Sequence, residues 1–80
     1  MSRTLGSARH KAMLAFLIQK RERAGLSQYE VAARLKRWQS YVARVESGQR
    51  RLDLMELLDF AEALRFDIRE LVRHVSQVSK

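Results

Sequence analysis

The 80-residue chain predicts an all-α fold, a compact domain of five helices, on three observations. Pro is absent and Gly occurs only three times, while strong helix formers such as Ala, Leu, Arg, Glu and Gln recur throughout. Apolar residues return at spacings of three and four instead of alternating. Capping signatures divide the chain, with S-x-x-E at 27–30 and D-x-x-E at 53–56 and again at 67–70. Composition does not shift sharply enough to mark a second domain, and a chain this short needs an efficiently packed core.

Residues 1–7, MSRTLGS, hold no period and contain Gly6, and so read as a flexible arm. The first helix should run from about Ala8 to Ala24, with Leu14, Leu17, Ile18 and Arg21 on one face and Gly25 supplying the left-handed stop. Arg21 therefore projects from an apolar stripe. Ser27 caps a second helix that ends near Leu35 and turns Val31, Ala32 and Leu35 inward; the small Ala32 lets another helix approach closely. Lys36, Arg37 and Trp38 form a short turn, and the third helix runs from Gln39 to about Ser47, stopping at Gly48. Helices four and five begin after Asp53 and Asp67. They are expected to bury Leu54, Leu57, Leu58, Ala61 and Leu64, and then Ile68, Leu71, Val72 and Val75. These elements make a domain of residues 8–75, followed by a tail, 76–80, into which the last helix can continue through Val78. The surplus apolar stripe of that helix either folds back on Leu14 and Leu17 or pairs with a second copy of the chain.

The distribution of charge bounds function more tightly than its total. Residues 1–51 carry twelve Lys/Arg against three Asp/Glu, whereas 52–80 carry four against six. A basic half beside a mildly acidic one is expected where one side meets a polyanion. Cysteine is absent, so neither disulfides nor a Cys-based zinc site braces the fold, and a cytoplasmic location fits. The apolar run from Met13 to Ile18 is far short of the roughly 18–20 residues that span a bilayer. His10 and His74 stand near opposite ends, without a phosphate-binding glycine loop or metal-ligand spacing, so no enzyme, metal or cofactor is expected.

The third helix carries the functional signal. Advancing 100° per residue from Gln39 places Val42 and Val45 on the core side and Ser40, Ala43, Arg44 and Ser47 on the other, with Gln39 exposed at the helix start. Small outward side chains let a helix sink into a major groove about 12 Å wide. Gln matches adenine N6 and N7, Arg matches guanine O6 and N7, and an alanine methyl can touch that of thymine. Gln39, Ser40, Ala43 and Arg44 are therefore the candidate base readers. Two short helices joined by three residues form a helix-turn-helix, residues 27–48, and Gln49, Arg50 and Arg51 immediately beyond it suit phosphate contacts.

The stretch LSQYEVAARLKRWQSYVARVESGQRRLDLMELLDFAEALRFDIREL, residues 26–71, resembles the Cro/lambda-repressor-like, or XRE, family of helix-turn-helix regulators. The match lies in L-S-Q at 26–28, E-x-A at 30–32, Leu35, Q-S at 39–40, R-V-E-S-G at 44–48, L-x-x-L-L-x-x-A-x-A-L at 54–64 and I-x-x-L at 68–71. The resemblance implies a five-helix lambda-repressor-like domain that binds double-stranded DNA in a bacterium, phage or mobile element. It further implies that Gln28 touches a phosphate and braces Gln39, and that Arg21 and Glu46 form a partly buried ion pair tying helix one to helix three. Lys36, Arg37 and Tyr41 join Gln28, Gln49, Arg50 and Arg51 as candidate phosphate contacts. Tyr41 sits at the margin between core and groove.

Three positions depart from the family pattern. Lys36 and Arg65 replace the usual glycines, and Trp38 replaces a small cap or a proline. Either the first turn is altered or Lys36 tolerates a left-handed conformation for the sake of a phosphate. Trp38 is expected to pack on the core edge beside Tyr41, the alternative being a sugar–phosphate ridge. The simplest function is a repressor that occludes a promoter, bound as a homodimer to a near-palindromic operator. From a different class, the alternative is an antitoxin or adaptor whose main role is to hold a protein partner.

Overall fold

A computed structural model describes residues 7–79. The expected arm at 1–7 lies outside the described residues except for Ser7, whose side chain accepts a hydrogen bond from the His10 amide and caps the first helix. The described chain folds as five helices: α1 (Ala8–Arg23), α2 (Gln28–Leu35), α3 (Gln39–Glu46), α4 (Leu54–Leu64) and α5 (Ile68–Ser76). Among the described residues no helix is long and apolar enough to cross a membrane.

Local chemistry explains where the helices begin and end. Ser27 with Glu30, and Asp53 with Glu56, form reciprocal capping boxes at α2 and α4. At α5 the expected box does not form. Asp67 accepts from the Arg69 amide and grips the Arg69 guanidinium, while Glu70 turns to Lys20 Nζ of α1 at 2.9 Å. Four helices close with the same paired backbone bonds. At the end of α1, Gly25 N donates to Glu22 O and Leu26 N to Arg21 O; at the end of α2, Lys36 N donates to Ala33 O and Arg37 N to Ala32 O. The termini of α3 and α4 repeat this geometry around Gly48 and Arg65. The turn is thus unaltered where glycine is missing: Lys36 and Arg65 occupy the left-handed region at φ 58° and 59°, beside Gly25 at 72° and Gly48 at 86°. Each carries a local cost on the order of 1 kcal/mol that the two capping bonds offset.

The core gathers Leu17, Val31, Val42, Val45 and Phe60, all fully buried, with Leu14, Phe16, Ala32, Leu64 and Leu71 around them. Helix α1 packs on α5, and α2 on α3 and α4. Phe16 meets Phe66 edge to face at 5.0 Å and lies 5.5 Å from the His74 ring. Several burial expectations are corrected here. Helix α4 rolls so that Leu57, Phe60, Ala61 and Leu64 form its inward stripe, which leaves Leu54 and Leu58 at 59% and 40% exposure. Val72 is also outward, because Leu71 and Val75 supply the inward row of α5. The tail folds back on α1, where Arg9 donates to the carbonyls of Val78 and Ser76. His10 is buried in the first turn of α1.

Candidate nucleic-acid interface

Helix α3 is anchored by Val42 and Val45, both without measurable exposure, and this fixes what its other face presents. Gln39, Ser40, Arg44 and Ser47 are exposed and Ala43 is half-buried. A helix of eight residues is marginal alone; the two valines locked in the core hold it in one orientation.

Gln39 does not project freely. Its Nε2 donates to Gln28 Oε1 at 2.8 Å, and Gln28 Nε2 donates in turn to Glu46 Oε1 at 2.9 Å. Glu46 accepts two further bonds from Arg21, Nε to Oε2 at 2.7 Å and Nη2 to Oε1 at 3.0 Å, and Arg21 Nη1 donates to Leu26 O at 2.9 Å. Arg21 and Glu46 are therefore a bidentate pair, with side chains 15% and 8% exposed, linking α1 to α3. The hydrogen bonds that Arg21 donates to Glu46 raise the Arg21 pKa, against the opposing effect of burial. Donor and acceptor logic propagates outward from this pair. An ionised carboxylate only accepts, so Gln28 must turn its NH2 toward Glu46 and its oxygen toward Gln39. Gln39 must then donate one N–H to Gln28, which leaves its carbonyl oxygen and its second N–H facing outward.

A second cluster surrounds Tyr41. Its ring stacks on Phe60 at 6.2 Å and lies beneath the guanidinium groups of Arg37 at 4.5 Å and Arg50 at 4.8 Å. Its hydroxyl donates to Glu56 Oε2 at 3.3 Å, and burial pushes its pKa up. Glu56 also binds Arg50 at 2.9 and 3.1 Å and lies 3.8 Å from Arg37. The Arg50 hydrogen bond holds the Glu56 carboxyl below the usual range. Three of the expected phosphate contacts, Arg37, Tyr41 and Arg50, thus share one acidic partner, Glu56, whose spacing in the sequence announces only a cap. Its distance of six residues from Arg50 matches no helical spacing, so nothing local announced the contact. Lys36, Arg44, Gln49 and Arg51 are exposed, and among the described residues Lys36, Arg44 and Arg51 have no carboxylate within ion-pair distance.

Trp38 corrects an expectation. It is 83% exposed and does not pack beside Tyr41, because its place as N-cap of α3 points it away from the core while Phe60 takes the Tyr41 face. Among the described residues no three His, Asp or Glu side chains gather as metal ligands.

Comparison with known proteins agrees with this geometry. A family model described as a helix-turn-helix domain matches residues 3–75. The chain is similar to an XRE-family like protein from Pseudomonas syringae pv. tomato, with 37% identity and a TM-score of 0.86 over 98% of this chain and 95% of that one. It is also similar to the restriction-modification controller protein C.AhdI from Aeromonas hydrophila, with 35% identity and a TM-score of 0.68 over 81% of this chain and 99% of that one. The clp gene regulator ClgR from C. glutamicum shares the fold at 18% identity and a TM-score of 0.78, over 89% of this chain and 92% of that one. No curated protein sequence matches the chain.

Proposed function

Because this chain belongs to the XRE-like helix-turn-helix family of DNA-binding regulators, and not to an enzyme family, we propose that it is a sequence-specific repressor that inserts α3 into the major groove of its operator. The observation that carries this reading is the relay from Arg21 through Glu46 and Gln28 to Gln39. It orients an amide whose free oxygen and N–H are the pair that adenine N6 and N7 require. Ser40, Ala43 and Arg44 extend the reading face, Arg44 being suited to guanine. Gln28, Lys36, Gln49 and Arg51 contact phosphates, joined by the Arg37, Tyr41 and Arg50 cluster once Glu56 yields part of its hold.

A homodimer on a near-palindromic site belongs to the same proposal. Leu54, Met55, Leu58 and Val72 are large apolar side chains at 40–62% exposure, and Leu54 and Val72 share one apolar groove between α4 and α5. This groove is the surface the proposal assigns to the second copy. To read a near-palindromic site, two copies joined there must present their α3 helices about 34 Å apart, one turn of DNA. Selection of duplexes from a random-sequence pool, followed by Gln39→Ala and Arg44→Ala, tests the reading. Each variant should lose about 10- to 100-fold in preference for the selected base while non-specific binding persists. Unchanged base preference in both would instead favour an adaptor that holds a protein partner. Sedimentation of the parent as a monomer on its site would remove the dimer.

A further inference from the structure

Tyr29 and Trp38 are the most exposed large hydrophobic side chains among the described residues, at 70% and 83%. They lie on different elements, Tyr29 in the first turn of α2 and Trp38 at the N-cap of α3, yet both line one depression of about 260 Å³. Ala32, Ala33, Arg37 and Gln39 complete its lining. Neither stability nor packing accounts for the indole. An N-cap favours a short polar side chain that accepts from the first turn, and Trp38 makes no such bond. Nor does it cover the core.

Position supplies the missing reason. The depression is continuous with the reading face, since Gln39 belongs to both. Its lining joins the two aromatic side chains to Arg37, whose side chain is 45% exposed, at the N-terminus of α3, where no side chain caps the helix. Apolar planes beside donors and a cation complement a deoxyribose joined to a phosphate. We propose that Tyr29 and Trp38 form an aromatic clip for one sugar–phosphate unit of the DNA strand bordering the base read by Gln39. The clip rests on the DNA-binding reading above. Its contribution is apolar, so it strengthens binding without displacing counterions.

Trp38 is the only tryptophan of the chain, which makes its fluorescence specific to this site. Parent protein is titrated with the duplex it enriches from a random pool, and acrylamide quenching is measured free and bound. Binding should shield Trp38. Trp38→Ser and Tyr29→Ala should each weaken affinity about tenfold, the loss of roughly 55 Å² of apolar contact, with the slope of log affinity against log salt unchanged. Arg51→Ala should lower that slope by about one. Trp38→Ser restores a capping hydroxyl, so its melting temperature should equal or exceed the parent's, and lost affinity then cannot come from a frayed helix. The clip is overturned if the parent binds its duplex while Trp38 remains as accessible as in the free protein, or if both variants bind as tightly as the parent. Failure of the parent to enrich any duplex would overturn the DNA-binding reading itself, and the clip with it.

Discussion

Replacing Glu46 by Ala removes the acceptor of three hydrogen bonds, two from Arg21 and one from Gln28. Arg21 then keeps only the Leu26 carbonyl as a partner while its side chain stays 15% exposed, and Gln28 loses the bond that sets its orientation. Breaking a deeply buried ion pair from one side costs about 3–5 kcal/mol; the retained carbonyl and residual exposure place this case at about 3 kcal/mol. Domains of this size are stable by about 0.05–0.15 kcal/mol per residue, so such a loss is a large fraction of the whole. At about 4–8 °C per kcal/mol, the melting temperature followed by circular dichroism should fall by about 12–24 °C. The double variant Arg21→Met with Glu46→Leu separates the two roles of the pair. It strands no charge and should recover most of the lost stability, since apolar replacement of a buried pair is often neutral or better. It cannot recover the brace on Gln39, so base preference at the position Gln39 reads should remain weakened. A Glu46→Ala protein melting within about 2 °C of the parent would refute the energetic argument. A double variant that regained base preference together with stability would refute the relay.

Three further outcomes follow from other contacts. His10 is buried with its Nε2 unpaired, and burial, followed by the nearby Arg51 charge, lowers its pKa from 6.5. The unfolded chain therefore takes up the proton first, and stability, complete above about pH 6.5, should decline as pH falls toward the lowered folded value. Urea melts between about pH 7.5 and 5 should show this decline, and His10→Leu should flatten it; an unchanged slope in the variant would refute the assignment. Arg65→Gly relieves the left-handed backbone at φ 59° and should add about 1 kcal/mol, read as a melting temperature several degrees higher. A lower value would mean that the side chain stabilises more than its backbone costs. Glu56→Gln can keep the capping geometry of α4 but frees Arg37 and Arg50, so the salt dependence of DNA binding should steepen by about one in log–log slope. An identical slope would mean that neither arginine reaches a phosphate.

Sequence alone determined the features that depend on residues three or four apart. The S-x-x-E and first D-x-x-E boxes placed the starts of α2 and α4 because the cap and its partner are neighbours on the first turn. Val42 and Val45 dictated which face of α3 points outward, since a helix of fixed period has no other way to bury both. Tertiary structure decided whatever depended on what covers a surface or reaches it from another element. Phe60, and not Leu58, is buried because α1, α2 and α5 meet α4 on one side only, and Trp38 is exposed because nothing packs over the N-cap of α3. Glu70 abandoned a local capping bond for Lys20, 50 residues away, and Glu56 drew Arg37 and Arg50 inward. Family resemblance anticipated the Arg21–Glu46 pair and the Gln28 brace on Gln39, but the Gln28–Glu46 bond that joins them and fixes the direction of each amide links α2 to α3, and no spacing along the chain encodes it. Local periodicity thus selected the face of α3, while the orientation of the side chains on that face depends on contacts between helices.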